Sequence, residues 1–177
     1  MTSLPDKIVA IHQALDAAEL AHAFGGALAL AWCTERARGT IDVDLNVFVD
    51  ASQAAAVVAT LPQGIGWSTR DVAAIERDGQ ARLWWDSTPI DLFLNTTEFH
   101  AQAARRARVE WFAGFDLPFL ACSDLAVFKA FFNRTRDWAD LEDMAAMGTL
   151  DVDRVIGVLT RYLGPGDHRI ERLRNLV

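Results

Sequence analysis

Apolar residues along this chain switch between a helical spacing and an alternating one, and the switches mark its elements. Ile8, Ile11, Leu15 and Ala18 recur at helical intervals. Ser3-Leu4-Pro5-Asp6 ahead of them is a helix start, with a cap, a first-turn proline and an early acid. Leu20 to Phe24 is a short apolar run ending at Gly25, as a brief strand entering a tight turn does, and Gly26 to Cys33 returns to helix. From Ile41 to Val49 the period becomes two. Val43, Leu45, Val47 and Val49 alternate with Asp42, Asp44 and Asn46, which predicts a central strand with one apolar face. Asp50-Ala51-Ser52 caps a helix that runs to Leu61 and stops at Pro62. Between Gln63 and Asp78, Gly64 and Gly66 mark turns, and Val72 to Glu76 reads as a short strand or a helical turn. Ala81–Trp85 and Pro89–Leu94 read as paired strands about Asp86-Ser87-Thr88.

Thr97 to Arg108 reads as a helix ending in an arginine cluster, and Val109–Phe112 and Leu117–Ala121 as two short strands around Gly114-Phe115-Asp116. After residue 122 the spacing is helical. A first helix capped by Ser123-Asp124 carries Leu125, Val127, Phe128 and Phe131. A second, with Asp137 as its cap, carries Trp138, Leu141, Met144 and Met147. Two more follow, over Asp151–Leu163 and Asp167–Leu176, separated by Gly164-Pro165-Gly166. The expected class is α/β (α+β): a mixed sheet flanked by helices, with a C-terminal helical part. The shift in pattern divides the chain into a core over residues 1–121 and a helical region over residues 122–177, which together also suit one continuous domain.

At 177 residues and 51% hydrophobic, the chain can bury a core. Its net charge of −7 excludes a global basic footprint for nucleic acid. A local patch such as Arg105, Arg106 and Arg108 would still reach a phosphate, although such a cluster is ordinarily a solvated face. No apolar run is long enough to span a bilayer and no secretory segment is evident, so no membrane partner and a cytoplasmic location are expected. Cys33 and Cys122 each lie in an apolar stretch and read as buried, reduced thiols.

The chemistry concentrates in residues 25–46. A strand, Gly25-Gly26 and a helix in succession leave backbone N–H groups at a helix N-terminus, a natural anion site. Asp42 and Asp44 share one strand face and repel each other unless a cation or a proton intervenes. Hard divalent cations take such oxygens together with substrate phosphates. Asp91, alone among Ile90, Leu92, Phe93 and Leu94, needs either an arginine or a metal ion as its partner.

In order along the chain stand Gly25-Gly26, Arg38-x-Thr40-x-Asp42-x-Asp44-Leu45, Pro89-Ile90-Asp91-Leu92, Asp124-Leu125-x-x-x-Lys129, Arg134 and Asp137-x-x-Asp140. This succession resembles the nucleotidyltransferase-fold superfamily, and within it the minimal and AbiEii-type toxin nucleotidyltransferases, over about residues 20 to 145. The resemblance implies that Asp42, Asp44 and Asp91 hold Mg²⁺ or Mn²⁺ and that Gly25 and Gly26 cradle the phosphates of a nucleoside triphosphate such as ATP. Many relatives have Gly-Ser there, so one hydroxyl contact is missing. Lys129 matches a lysine that faces the nucleotide, Asp137 the acid beyond it, and Thr40 a hydroxyl just before the metal acids, with Arg38 near the phosphates. Asp42, Asp44, Asp91 and Lys129 would then be the catalytic set. The implied reaction moves a nucleoside monophosphate to a hydroxyl on a tRNA 3′ end, a protein or a small molecule, and an antitoxin is the implied protein partner. Each residue also has a plainer reading: Lys129 as a surface lysine, Asp137 as a helix cap, Thr40 as a strand former. For the whole chain the alternatives are a nucleotide- or partner-binding module without catalysis, and a purely structural domain.

Overall fold

The computed structural model describes residues 2–37 and 39–176, so the Arg38 assignment lies outside the described residues. Helix α1 (Leu4–Ala17) begins as its sequence suggests. The Ser3 hydroxyl accepts from the Asp6 N–H, and the Asp6 carboxylate accepts from Ser3 in return. Strand β1 (His22–Phe24) leads through Gly25 into α2 (Gly26–Thr34). Strand β2 (Val43–Asp50) starts two residues later than its alternation does, because Ile41 and Asp42 precede the ladder. After a 3₁₀ turn capped by Asp50 come α3 (Ala54–Thr60), β3 (Ile65–Gly66) and α4 (Thr69–Asp78). The ambiguous stretch Val72–Glu76 is therefore helix, held by a reciprocal Ser68–Asp71 cap and ended by Gly79 at φ +73°.

Strands β4 (Gln80–Trp85) and β5 (Thr88–Asn95) form the expected hairpin. Helix α5 (Glu98–Ala103) is shorter than its pattern. A 3₁₀ turn follows, and Arg108 already belongs to β6 (Arg108–Phe112), so the arginine cluster is not one helical face. Strand β7 (Phe115–Phe119) completes the sheet, and α6 (Cys122–Phe132), α7 (Thr135–Ala146), α8 (Val152–Leu163) and α9 (His168–Arg174) complete the chain.

Among the described residues seven strands form one mixed sheet in the order β3-β4-β5-β2-β1-β7-β6. β2 runs parallel to β5, and β1 to β7; the other neighbours are antiparallel. Val43, Leu45 and Val47 of β2 and Ile90, Leu92 and Leu94 of β5 are all buried on one face. Helix α1 crosses that face: Lys7 donates to the Trp85 carbonyl, and His12 meets His22 of β1, while Ile8, Ile11 and Leu15 are fully buried. The chain separates into two compact units. One comprises Met1–Leu28 with Gly39–Leu120 and contains the sheet; the other comprises Ala29–Arg38 with Ala121–Val177 and is helical. In the helical unit α6 packs on α7 and α8, and α8 packs on α9.

The two cysteines correct an expectation. Cys33, near the end of α2, and Cys122, at the start of α6, are joined in a disulfide within the helical unit. Their separation of 89 residues hid this, because sequence spacing does not reveal which helix ends meet. Closing so long a loop restricts the unfolded chain, so reduction is expected to lower stability by about 2–4 kcal/mol. Denaturation of the protein with and without dithiothreitol measures the difference.

His100 of α5 is buried, with Nε2 3.0 Å from Asn46 Oδ1. Burial pushes its pKa down to about 4, against a smaller opposite effect of a hydrogen bond to the Leu94 carbonyl. The unfolded chain therefore takes up this proton first as the pH falls. Stability is fully retained above about pH 6.5 and is lost progressively toward pH 4, by about 3 kcal/mol for this one group. His100→Gln should flatten the dependence of urea midpoint on pH across that window.

Candidate active site

Gly25 and Gly26 join β1 to α2 at the sheet position beside β2. The Gly25 N–H donates to the Asp44 carbonyl at 2.8 Å. Gly26 has φ +51°, and a Cβ placed on it would lie 1.7 Å from Asp44 Oδ2. Glycine is required there twice over, once by the backbone angle and once by the carboxylate seated against it. Gly25 is nearly as confined, with Asn46 Nδ2 3.1 Å from its would-be Cβ. The turn, the opening amides of α2 and Asp44 thus form one local arrangement.

Across the sheet the acids follow in register. Asp44 of β2 is the lateral partner of Asp91 on parallel β5, and Asp91 faces Arg82 on antiparallel β4. Neighbouring strands lie about 4.8 Å apart, so these three side chains form a row on the face opposite the buried aliphatics. Asp42 lies just outside the ladder, two residues before Asp44. The Thr40 hydroxyl accepts from its N–H at 3.2 Å, so Thr40 fixes the entry to β2 and is not itself in the strand.

Asp91 is not alone. Both of its oxygens accept from Arg82: Nε donates to Oδ1 and Nη2 to Oδ2, each at 2.7 Å. Those hydrogen bonds, then the Asp91 charge and, more weakly, the charges of Asp42 and Asp44, hold the Arg82 guanidinium protonated above its ordinary range. One cation therefore feels all three carboxylates. Of the two outcomes open to Asp91 in sequence, the arginine pair is the one present. Among the described residues no three His, Cys, Asp or Glu side chains are gathered closely enough to hold a metal ion as they stand.

The donor set nevertheless suits a hard divalent cation. It consists of carboxylate oxygens alone, with Asp44 and Asp91 in register on adjacent strands, and the Arg82 side chain paired with Asp91 is half exposed at 51%. Arg82 is the residue that sequence reasoning passed over. A two-residue turn at Asp86-Ser87 places 82 opposite 91, whereas a three-residue turn leaves the pairing open.

The motif residues of the helical unit have a different setting. Lys129 of α6 is buried, not on the surface. Its Nζ lies 2.5 Å from Asp140 Oδ2 and 3.8 Å from Asp137 Oδ1, both on α7. Asp137 is the third residue of α7, not its cap. It accepts from the N–H and guanidinium of Arg134, which occupies the cap position. Asp124, fully buried, receives Arg154 Nη2 of α8 at 3.1 Å. These pairs tie α6 to α7 and α8. The carboxylate row belongs to the sheet unit, and Lys129 and Asp137 to the helical one.

Among solved structures, the antibiotic-resistance factor ANT(2'')-Ia aligns over 97% of this chain and 89% of its own, at 14% identity and a TM-score of 0.57. The fold is nucleotidyltransferase-like. At that identity the likeness is one of fold. A nucleotidyltransferase-like antigenic protein from Paracoccidioides brasiliensis aligns over 96% of this chain and 85% of its own, at 10% identity and a TM-score of 0.48. No family model matches the sequence, and no curated protein does. Within the nucleotidyltransferase fold, the glycine turn and the carboxylate row share one end of one sheet face.

Two outcomes test this geometry. Gly26→Ala forces both a left-handed alanine and displacement of the Asp44 carboxylate, and is expected to lower stability by more than about 1 kcal/mol in denaturant titrations. Lys129→Ala leaves Asp140 buried without its cation and is expected to cost about 3–5 kcal/mol, read from the thermal midpoint.

Proposed function

We propose that the chain is a divalent-metal-dependent nucleotidyltransferase that moves a nucleoside monophosphate from a nucleoside triphosphate to a hydroxyl acceptor and releases pyrophosphate. The observation that carries this reading is the seating of the Asp44 carboxylate against Gly26, with Asp91 beside it in register. A glycine turn that opens a helix and carboxylate oxygens meet there, the kinds of group that suit a metal-bound triphosphate.

Asp42, Asp44 and Asp91 would hold Mg²⁺ or Mn²⁺. When bound, such a cation neutralises the phosphate oxygens and stabilises the entering and leaving oxygens. Gly25, Gly26 and the opening amides of α2 receive the phosphate oxygens, which approach closely because neither glycine has a side chain. An Asp91 oxygen, released from Arg82, accepts the proton of the acceptor hydroxyl. Positioning of the two reactants supplies most of the rate. Arg38, Thr40, Lys129 and Asp137 enter as nucleotide-binding residues on the resemblance.

The acceptor classes are a tRNA 3′ end, a protein hydroxyl and a small molecule. The likeness to an antibiotic-resistance factor speaks for the last. The AbiEii-type resemblance speaks for a toxin with a paired antitoxin. The Cys33–Cys122 disulfide is a pairing that persists in oxidising compartments, which weighs against the cytoplasmic location expected from the sequence. No helix among the described residues is long and apolar enough to cross a membrane.

The engagement of Asp91 by Arg82 favours a second reading, a nucleotide- or partner-binding module without catalysis. Incubation with each labelled triphosphate, Mg²⁺ and pools of RNA, protein or small molecules separates the two. Transfer of label with pyrophosphate release supports the enzyme. Calorimetric binding of nucleotide without pyrophosphate release supports the module. For the enzyme, Asp44→Asn is expected to cut transfer at least about a hundredfold while the circular dichroism spectrum is retained.

A further inference from the structure

One guanidinium, that of Arg82, holds both oxygens of Asp91, and its position on the sheet is informative. Arg82 lies in β4, beside the very short edge strand β3, which pairs only with Trp84 and Trp85. Among the described residues no strand of the sheet borders Arg82 on its outer side, and half of its side chain meets solvent. Asp91 by contrast is anchored in the middle of β5, between β4 and β2, and is 21% exposed. Of the two partners, the arginine is the one that can leave. Its forked pairing matches the carboxylate geometry well, so it neutralises Asp91 effectively while it is present.

We infer that Arg82 is the resident counter-ion of the carboxylate row, occupying both oxygens of Asp91 until a divalent cation takes its place. This rests on the proposed function, in which Asp42, Asp44 and Asp91 receive that cation. Like charges on adjacent strands repel, and Arg82 offsets that repulsion before the cation arrives. Binding of the cation and pairing of Arg82 with Asp91 compete for the same two oxygens. On release, the Arg82 side chain extends further into the solvent that already meets half of it.

Competition gives the inference its test. Mn²⁺ binding to the full chain, without nucleotide, is followed by electron paramagnetic resonance for the wild type, Arg82→Gln, Arg82→Lys, Asp91→Asn and Arg82→Gln/Asp91→Asn. Arg82→Gln should bind Mn²⁺ about fivefold more tightly than the wild type, the upper range for a partly exposed ion pair. Arg82→Lys, charged but without the fork, should fall between them. In the Asp91→Asn background the substitution at 82 should change affinity much less, because the contested oxygens are gone. In thermal melts, Mn²⁺ should raise the midpoint of Arg82→Gln by more than it raises that of the wild type. A merely structural arginine predicts a lower midpoint with no gain in affinity. Wild-type binding with equal or weaker binding by Arg82→Gln overturns the counter-ion role and leaves the metal site standing. No Mn²⁺ binding by any of the five proteins overturns both the role and the metal-dependent reading beneath it.

Discussion

Negative charges at neighbouring positions on one face of a sheet repel one another, and this repulsion organises the sheet unit. Asp44 and Asp91 are lateral partners in parallel strands, and Asp42 enters just upstream. The opposite face, with Val43, Leu45, Val47, Ile90, Leu92 and Leu94 fully or almost fully buried, fixes the register. A one-residue slip of either strand would turn its acid into the core. The apolar side of the sheet therefore holds the polar side together against its own electrostatics. Arg82 and the glycine turn supply the rest, one as a cation and the other as space.

The turn shows how closely position and chemistry are bound. Asp44 gives its carbonyl to the Gly25 N–H and lays its carboxylate over Gly26. Backbone and side chain of one residue thereby set both the path of the chain into α2 and the place of an acid next to the helix opening. A ligand that bridges amides and acid would meet groups already in position, which lowers the entropy of assembling them.

Much of this was readable from the chain. The strand begun by the alternation around Asp44, the helix start at Ser3, and the hairpin around residue 86 all depend on local chemistry and all appear in the fold. What escaped depends on distant partners. Val72 to Glu76 was ambiguous because α4 buries little beyond Ile75, so few positions carry its period. Lys129 reads as a surface residue, since nothing local shows that Asp137 and Asp140 will surround its ammonium group. The arginine cluster at 105–108 breaks up because Arg108 joins a strand ladder formed with β7. Arg82 lay one hairpin register away from being identified.

The Cys33–Cys122 bond has a practical consequence for the protein as a material. It fastens the end of α2 to the start of α6, two segments that the chain delivers at very different moments of synthesis. A host that keeps thiols reduced and one that oxidises them will yield different populations of covalent species from the same gene. A purified sample carrying both would behave as a mixture in any titration, and a count of free thiols by mass spectrometry after alkylation would reveal its composition before further work begins.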